Sequence, residues 1–126
     1  MAIGKEVASF TSTATSMTKT TDAAGNHTFV MNIEGTVSGG WSGAVLGTLT
    51  VITADFKTGT FTGDSAAYLQ DGSVVAGVGS GVFGSKGTHS WQLNGVMLLS
   101  DGSRVASEGE MALASRSYNG KLFAID

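Results

Sequence analysis

The chain has 126 residues, a length suited to one domain, and we predict a single domain over residues 1–126. Because cysteine is absent, the sequence excludes disulfides, thiolate metal sites and cysteine nucleophiles. Seven Lys and Arg against ten Asp and Glu give a net charge of -3, which predicts neither a nucleic-acid partner nor an anionic membrane surface. Glycine is abundant, with 19 residues, and charged residues are sparse, a composition typical of strands and tight turns.

Strand patterns fill the first half of the chain. Residues 5–19, rich in Thr, Ser and Ala, predict one long strand, and residues 21–26 predict a turn because Gly and Asn accept positive φ. Residues 27–37 alternate between apolar and polar faces, with Phe29 and Met31 on one face, as a half-buried strand does. Further strands are predicted over residues 41–54, 60–63 and 65–69.

A short internal repeat marks two hairpin turns. Residues 71–76, Asp-Gly-Ser-Val-Val-Ala, match residues 101–106, Asp-Gly-Ser-Arg-Val-Ala, at five of six positions. Each copy follows an apolar strand, and Asp-Gly between two strand patterns is a strong hairpin signal. The repeat therefore predicts two hairpins of the same kind.

The last part of the chain adds three predicted strands. Residues 88–99 alternate, with His89 and Trp91 on one face. Residues 104–114 form the next strand, and the pair Asn119-Gly120 predicts a turn into a final strand over residues 121–125.

The pattern as a whole predicts an all-β fold. About eight or nine strands follow one another with turn signals at roughly ten-residue spacing, and no stretch has a helical period. We predict a single closed antiparallel β-barrel of about eight strands, because closure removes exposed edges and glycines inside strands allow a sheet to curl. The alternative is a β-sandwich.

A glycine-rich stretch carries a family resemblance. Gly79-Ser80-Gly81-Val82-Phe83 resembles the Gly-Ser/Thr-Gly-x-Phe signature of the allene oxide cyclase and dirigent-type β-barrels. The resemblance implies an eight-stranded antiparallel barrel, often trimeric, that holds a small apolar molecule inside. It implies no catalytic residue, because the catalytic positions of the family lie outside this stretch.

One face of the alternating strands is expected to line the interior. Placing the charged side chains of Glu34, Arg104, Glu108 and Glu110 in water is favoured because ionised groups are costly to bury. That choice turns the opposite, apolar face inward: His27, Phe29, Met31, Ile33, Trp41, Val45, Leu49, His89, Trp91, Leu93, Met97, Met111 and Leu113.

The inward face supplies candidate ligand-binding residues. Trp41, Trp91, Phe29 and Met31 are predicted to line an apolar pocket, and Tyr68 is a candidate donor of a phenolic proton to a ligand oxygen. The alternative for the Trp and Met side chains is simple core packing. The alternative for Tyr68 is a packed ring with a solvated hydroxyl.

Two residues are candidate proton-transfer groups. His89 has a side chain suited to a general acid or base near neutral pH, the alternative being a hydrogen-bonded histidine at the core or rim. Glu108 is the second candidate. It requires the opposite register, in which Glu108, Glu110, Asn32 and Glu34 point inward and a buried glutamate with a raised pKa moves a proton. The alternative is a solvated outer face.

These observations lead to three functional hypotheses. The first is a small barrel that binds an apolar small molecule and, if catalytic, acts as a cofactor-independent cyclase or isomerase that holds a substrate in a reactive conformer. The second is a carrier without turnover, and the third is a structural or assembly barrel with a filled core. No metal is predicted, because the two histidines are far apart in the sequence and cysteine is absent. No organic cofactor is predicted, because the sequence has no phosphate-binding loop.

The cellular location is predicted from the lack of a signal peptide and of a membrane-spanning stretch. The assembly is predicted from apolar residues on the outer face of the barrel. Residues 1–10 lack the apolar core of a signal peptide, and no apolar stretch is long enough to span a bilayer, so we expect a cytoplasmic protein without a membrane partner. A homo-oligomer, dimer or trimer, is expected from apolar residues on the outward faces: Ala44, Leu46, Ile52, Val96 and Leu98.

Overall fold

The alternation of apolar and polar residues produces eight strands in the computed structural model, which describes residues 3–125. Residues 1, 2 and 126 of the predicted domain lie outside the described residues. The strands are β1 (Ile3–Thr21), β2 (His27–Gly39), β3 (Gly43–Thr53), β4 (Thr58–Leu69), β5 (Val74–Gly87), β6 (Ser90–Leu99), β7 (Arg104–Ala112) and β8 (Ser117–Ile125). No helix occurs within the described range.

The sheet closes on itself. Each strand pairs with the next in antiparallel register, and β8 returns to pair with β1, so the strand order around the barrel is β1 to β8. This confirms the predicted all-β class and closed barrel of eight strands and excludes the sandwich. The pairing of β1 with β8 extends only to Thr13, whereas the pairing of β1 with β2 continues to Thr21. The tip of the β1–β2 hairpin therefore projects beyond β8.

The two ends of the barrel differ in what they carry. One end, called here the terminal end, contains the first and last described residues and the turns at 40–42, 70–73 and 100–103. The opposite end, called the Trp91 end, contains the turns at 22–26, 54–57, 88–89 and 113–116.

The apolar face of each strand points inward, as the sequence predicted. The most buried large side chains are Leu93 and Val105, which are 1% and 2% exposed. The rest of the core comes from the predicted set and its neighbours, including Met31, Ile33, Leu49, Val51, Phe61, Phe83 and Tyr118. The four charged side chains expected in water, Glu34, Arg104, Glu108 and Glu110, are exposed on the outer face. The rival register with inward glutamates is therefore wrong.

Inward-facing glycines make room for aromatic rings. Gly109 and Gly120 pair across β7 and β8, and Gly81 and Gly95 pair across β5 and β6. A Cβ atom on Gly109 would overlap the Tyr118 ring, and a Cβ atom on Gly95 would lie 2.9 Å from Cζ of Phe61. A Cβ atom on Gly120 would likewise lie 2.9 Å from Cζ of Phe10. These glycines let the strands approach the rings of the core, which a barrel of eight strands needs in order to fill its interior.

The internal repeat forms two matching turns at the terminal end. In each, the Asp carboxylate accepts hydrogen bonds from the backbone amide and the hydroxyl of the Ser two residues later, Ser73 or Ser103. These hydrogen bonds lower the pKa of Asp71 and Asp101 below the ordinary value of 3.8, and the bond from the serine hydroxyl has the largest effect. The glycines in between adopt positive φ, 91° at Gly72 and 88° at Gly102, which side chains disfavour.

Several predicted boundaries were wrong, including the start of the strand predicted from residue 41, which begins at Gly43. The segments at 60–63 and 65–69 form one strand, β4, because Gly63 pairs with Leu49 and Gly79 on its two sides. The strand predicted over 88–99 begins at Ser90. The Asn119-Gly120 pair lies inside β8, and the turn falls at 113–116, which places Leu113 in a turn. The pairing of β8 with its neighbours overrides the turn propensity of Asn119-Gly120. The Asn119 side-chain oxygen supports this pairing, because it accepts a hydrogen bond from the Ser12 amide of β1 at 3.2 Å.

Gly109 provides a test of the glycine–ring packing. We expect Gly109→Ala to lower the free energy of unfolding by about 1–3 kcal/mol, because the new methyl group would force the Tyr118 ring out of place. The matched control is Gly84→Ala on β5, where a Cβ atom would meet nothing within 4 Å. Urea unfolding measures both variants. An equal effect of the two substitutions would contradict the packing described here.

Candidate functional site

Within residues 3–125, one cavity lies toward each end of the barrel interior. The larger, at the Trp91 end, has a volume of about 320 Å³, and the smaller, at the terminal end, of about 120 Å³. Among the described residues, Tyr118 lines both, so its ring lies between them. The larger cavity has apolar walls formed mainly by Phe29, Met31, Phe83, Trp91, Leu93 and Met111. Its volume is roughly twice that of a 150 Å³ apolar protein cavity that binds benzene.

Trp91 is fixed at the wall of the larger cavity by one hydrogen bond. It is the second residue of β6, on the inward face, and its indole Nε1 donates to the Phe56 carbonyl oxygen at 2.9 Å. A half-buried indole needs such a partner for its N–H group. With that need met by the backbone, the ring presents apolar surface to the cavity.

Phe56 forms one side of the mouth of this cavity. Its turn is held by the Thr53 hydroxyl, which accepts the Phe56 amide at 3.0 Å and donates to the Thr58 carbonyl at 2.7 Å. The Phe56 ring is 47% exposed and stacks on the His27 imidazole with ring centroids 4.3 Å apart. An aromatic pair at the mouth extends the apolar wall to the solvent.

Two polar side chains, His89 and Arg116, lie at the same mouth. Their turns are joined, because the Leu113 amide donates to the His89 carbonyl at 3.0 Å. The Arg116 guanidinium in turn donates to the Leu113 carbonyl. His89 and Arg116 therefore stand in two joined turns that border the open end of an apolar cavity.

Backbone strain is concentrated at this cavity. Within residues 3–125, the non-glycine residues with positive φ are Phe56, His89 and Arg116, with φ of 63°, 51° and 55°. All three line the larger cavity, although they belong to three different turns. Positive φ is uncommon outside glycine and costs on the order of 1 kcal/mol or more, and such strain clusters at functional sites.

Tyr118 is a titratable group buried inside the barrel. Its side chain is 6% exposed, and its ring packs against Phe10 with centroids 5.1 Å apart. Burial raises the pKa of Tyr118 from 10.0 to about 12, so the phenol stays neutral at physiological pH. A neutral phenol on a cavity wall is able to donate a hydrogen bond to an oxygen of a bound molecule.

The structure brings together part of the predicted site. Phe29, Met31 and Trp91 line the larger cavity, and His89 lies at its mouth. Trp41 lies in the 40–42 turn and lines the smaller cavity, so the two tryptophans are at opposite ends of the barrel.

Tyr68 and Glu108 lie on the outer face. Tyr68 is 51% exposed on β4, and Glu108 is exposed on β7; neither lines the interior cavities. The reason is the pleat, since both have the parity of the outward residues of their strands.

Sequence reasoning missed Phe56, Phe83, Arg116 and Tyr118. The alternation of Tyr118, Gly120, Leu122 and Ala124 would have signalled an inward face on β8, but the Asn-Gly pair was interpreted as a turn. Phe56 and Arg116 lie in turns, where periodicity gives no signal.

Comparison of this chain with protein-family models, with curated proteins and with solved structures found no match. Within residues 3–125, no group of three His, Asp or Glu side chains is placed to hold a metal ion. The same range contains no helix with the length and apolar character needed to cross a membrane.

The raised pKa of Tyr118 predicts an alkaline loss of stability. A phenol with a folded pKa of about 12 and an unfolded value of 10.0 stabilises the fold below pH 10, and this stabilisation is lost as the pH rises toward 12. The full loss amounts to about 2–3 kcal/mol. The variant Tyr118→Phe keeps the ring but has no phenol to ionise. We expect its free energy of unfolding to lack this alkaline loss when urea unfolding is measured from pH 8 to about pH 11.5. Equal alkaline losses in the two chains would contradict it.

Proposed function

We propose that this barrel binds an apolar small molecule in the larger cavity at the Trp91 end. The observation that carries the proposal is the convergence of three residues with strained backbone, Phe56, His89 and Arg116, on the open end of an apolar cavity of about 320 Å³. Strain of this kind persists only where the surrounding structure enforces it, and it supports a functional role for the mouth.

The size of the cavity favours binding over a purely structural core. Protein interiors are packed so closely that voids larger than a water molecule are few. Here the large side chains Met31, Leu93 and Phe83 are at most 8% exposed, yet they border about 320 Å³ of space. Small-molecule pockets start at about 300 Å³ and are mostly apolar with a few polar groups. The volume suits a ligand of two or three rings or a short chain.

The arrangement also defines the expected polarity of the ligand. The lining of the cavity is almost entirely apolar, and the exposed residues His89 and Arg116 belong to the turns at its open end. A ligand with an apolar body would bury that body against Trp91 and leave any polar group near the mouth. The Tyr118 ring separates this cavity from the smaller one, and its neutral phenol lies beside Gly109.

A second candidate function is a cofactor-independent cyclase or isomerase, in line with the resemblance to allene oxide cyclase barrels. The groups that would move a proton in such a reaction are the neutral phenol of Tyr118, inside the barrel, and the imidazole of His89, a residue that lines the cavity. Glu108 has no part in it, because its carboxylate is on the outer face. A carrier without turnover uses the same cavity. A cytoplasmic location and independence from cofactors stay predictions of the sequence.

Binding is tested with the uncharged dye N-phenylnaphthylamine, which fluoresces in apolar surroundings. We expect saturable binding of one dye per chain with a Kd on the order of 10 µM. Energy transfer from Trp91 in a Trp41→Phe variant reports the position of the dye. We expect Ala14→Phe, which fills the larger cavity, to weaken binding at least about tenfold.

The matched control is Ala67→Phe, which adds the same ring to the smaller cavity at the terminal end. Both substitutions place a larger side chain on the inward face, so they carry similar packing costs of about 1–3 kcal/mol. We expect Ala67→Phe to leave dye binding unchanged. Absence of saturable binding to the natural chain, or an equal effect of both variants, would refute the proposal.

A further inference from the structure

The outer face of the barrel carries an exposed apolar band across β3 to β6. The band consists of Leu46, Tyr68, Val74, Val78, Val96 and Leu98, which are 38% to 54% exposed. Tyr68 pairs with Val74, and Val78 pairs with Leu98, so the side chains are neighbours across the strands. Contiguous exposed apolar surface of this kind marks an interaction site.

Opposite charges border the centre of the band. One row of directly paired residues crosses four strands in the order Asp64, Val78, Leu98, Arg104, and all four side chains are exposed. The acidic end is on β4 and the basic end is on β7. Three strand spacings, roughly 14 Å, separate them, too far for an ion pair within one chain. Neither forms an ion pair among the described residues.

We propose that a second copy of this chain covers the band in a two-fold symmetric dimer. In this dimer the two-fold axis is parallel to the strands. It lies between the facing surfaces of the two copies, above the boundary between β5 and β6. β4 of one copy then faces β7 of the other, so Asp64 meets the partner's Arg104 twice per dimer. In the centre, Val78 meets the partner's Leu98.

Charge decides between this arrangement and its alternative. An axis running across the strands along the same row would set Asp64 against the partner's Asp64 and Arg104 against the partner's Arg104, and opposed like charges are costly at an interface. The row is self-complementary only under the first rotation, as an isologous contact requires. An apolar centre bordered by charges also has the usual anatomy of a protein interface.

The test is sedimentation equilibrium of the full chain with charge-reversal variants. We expect the natural chain to form a dimer. Asp64→Arg and Arg104→Asp should each raise the dimer Kd at least about tenfold, because each turns two attractions into two repulsions. The double variant Asp64→Arg/Arg104→Asp restores opposite pairs and should bring the Kd back to within about threefold of the natural value.

A second pair of variants tests the apolar centre. Leu98→Asp should abolish the dimer, whereas Ile52→Asp, at a 46% exposed position on the outer face of β3 outside the band, should leave it intact. Circular dichroism confirms that each variant is folded. A monomer at about 100 µM, a trimer, or charge reversals that fail to compensate in the double variant would each overturn the proposal.

Discussion

The packing of the barrel interior depends on aromatic rings that lie directly against the backbone of glycines. Phe10, Phe61 and Tyr118 occupy space that side chains on Gly120, Gly95 and Gly109 would otherwise fill. An eight-stranded barrel is just wide enough for side chains to fill its interior, and these three rings fit because a glycine lies beside each. The glycines at these positions and the aromatic rings beside them are two aspects of one packing constraint.

The same constraint explains where open space remains. Tyr118 lies across the middle of the barrel and separates the interior into two cavities. At the terminal end, side chains leave about 120 Å³, whereas at the Trp91 end the walls part and leave about 320 Å³. The long β1–β2 hairpin and the strained turns at 54–57, 88–89 and 113–116 surround the larger opening. A packed middle thus makes one end of the barrel suited to binding.

Periodicity determined how much of this could be predicted from sequence. The alternation on β2 and β6 identified Phe29, Met31, Trp91 and Leu93 as inward, and the repeated Asp-Gly-Ser turns located two hairpins. Residues whose positions depend on turn geometry were beyond such a pattern. His89 was assigned to a strand although it adopts positive φ in a turn, and Trp41 was grouped with Trp91 although it lies at the other end. Tyr118 was hidden because an Asn-Gly pair inside β8 has the local propensity of a turn, while its pairing with β1 and β7 is a long-range interaction.

We infer that apolar ligands enter the barrel at the Trp91 end. The chain has two tryptophans, one beside each cavity, so its amide and indole NMR spectrum contains one indole N–H signal for each end. Titration with N-phenylnaphthylamine measures both signals in the natural chain at once. We predict that the Trp91 signal moves with saturation while the Trp41 signal stays in place. Movement of the Trp41 signal alone, or of neither, would contradict this description of the barrel.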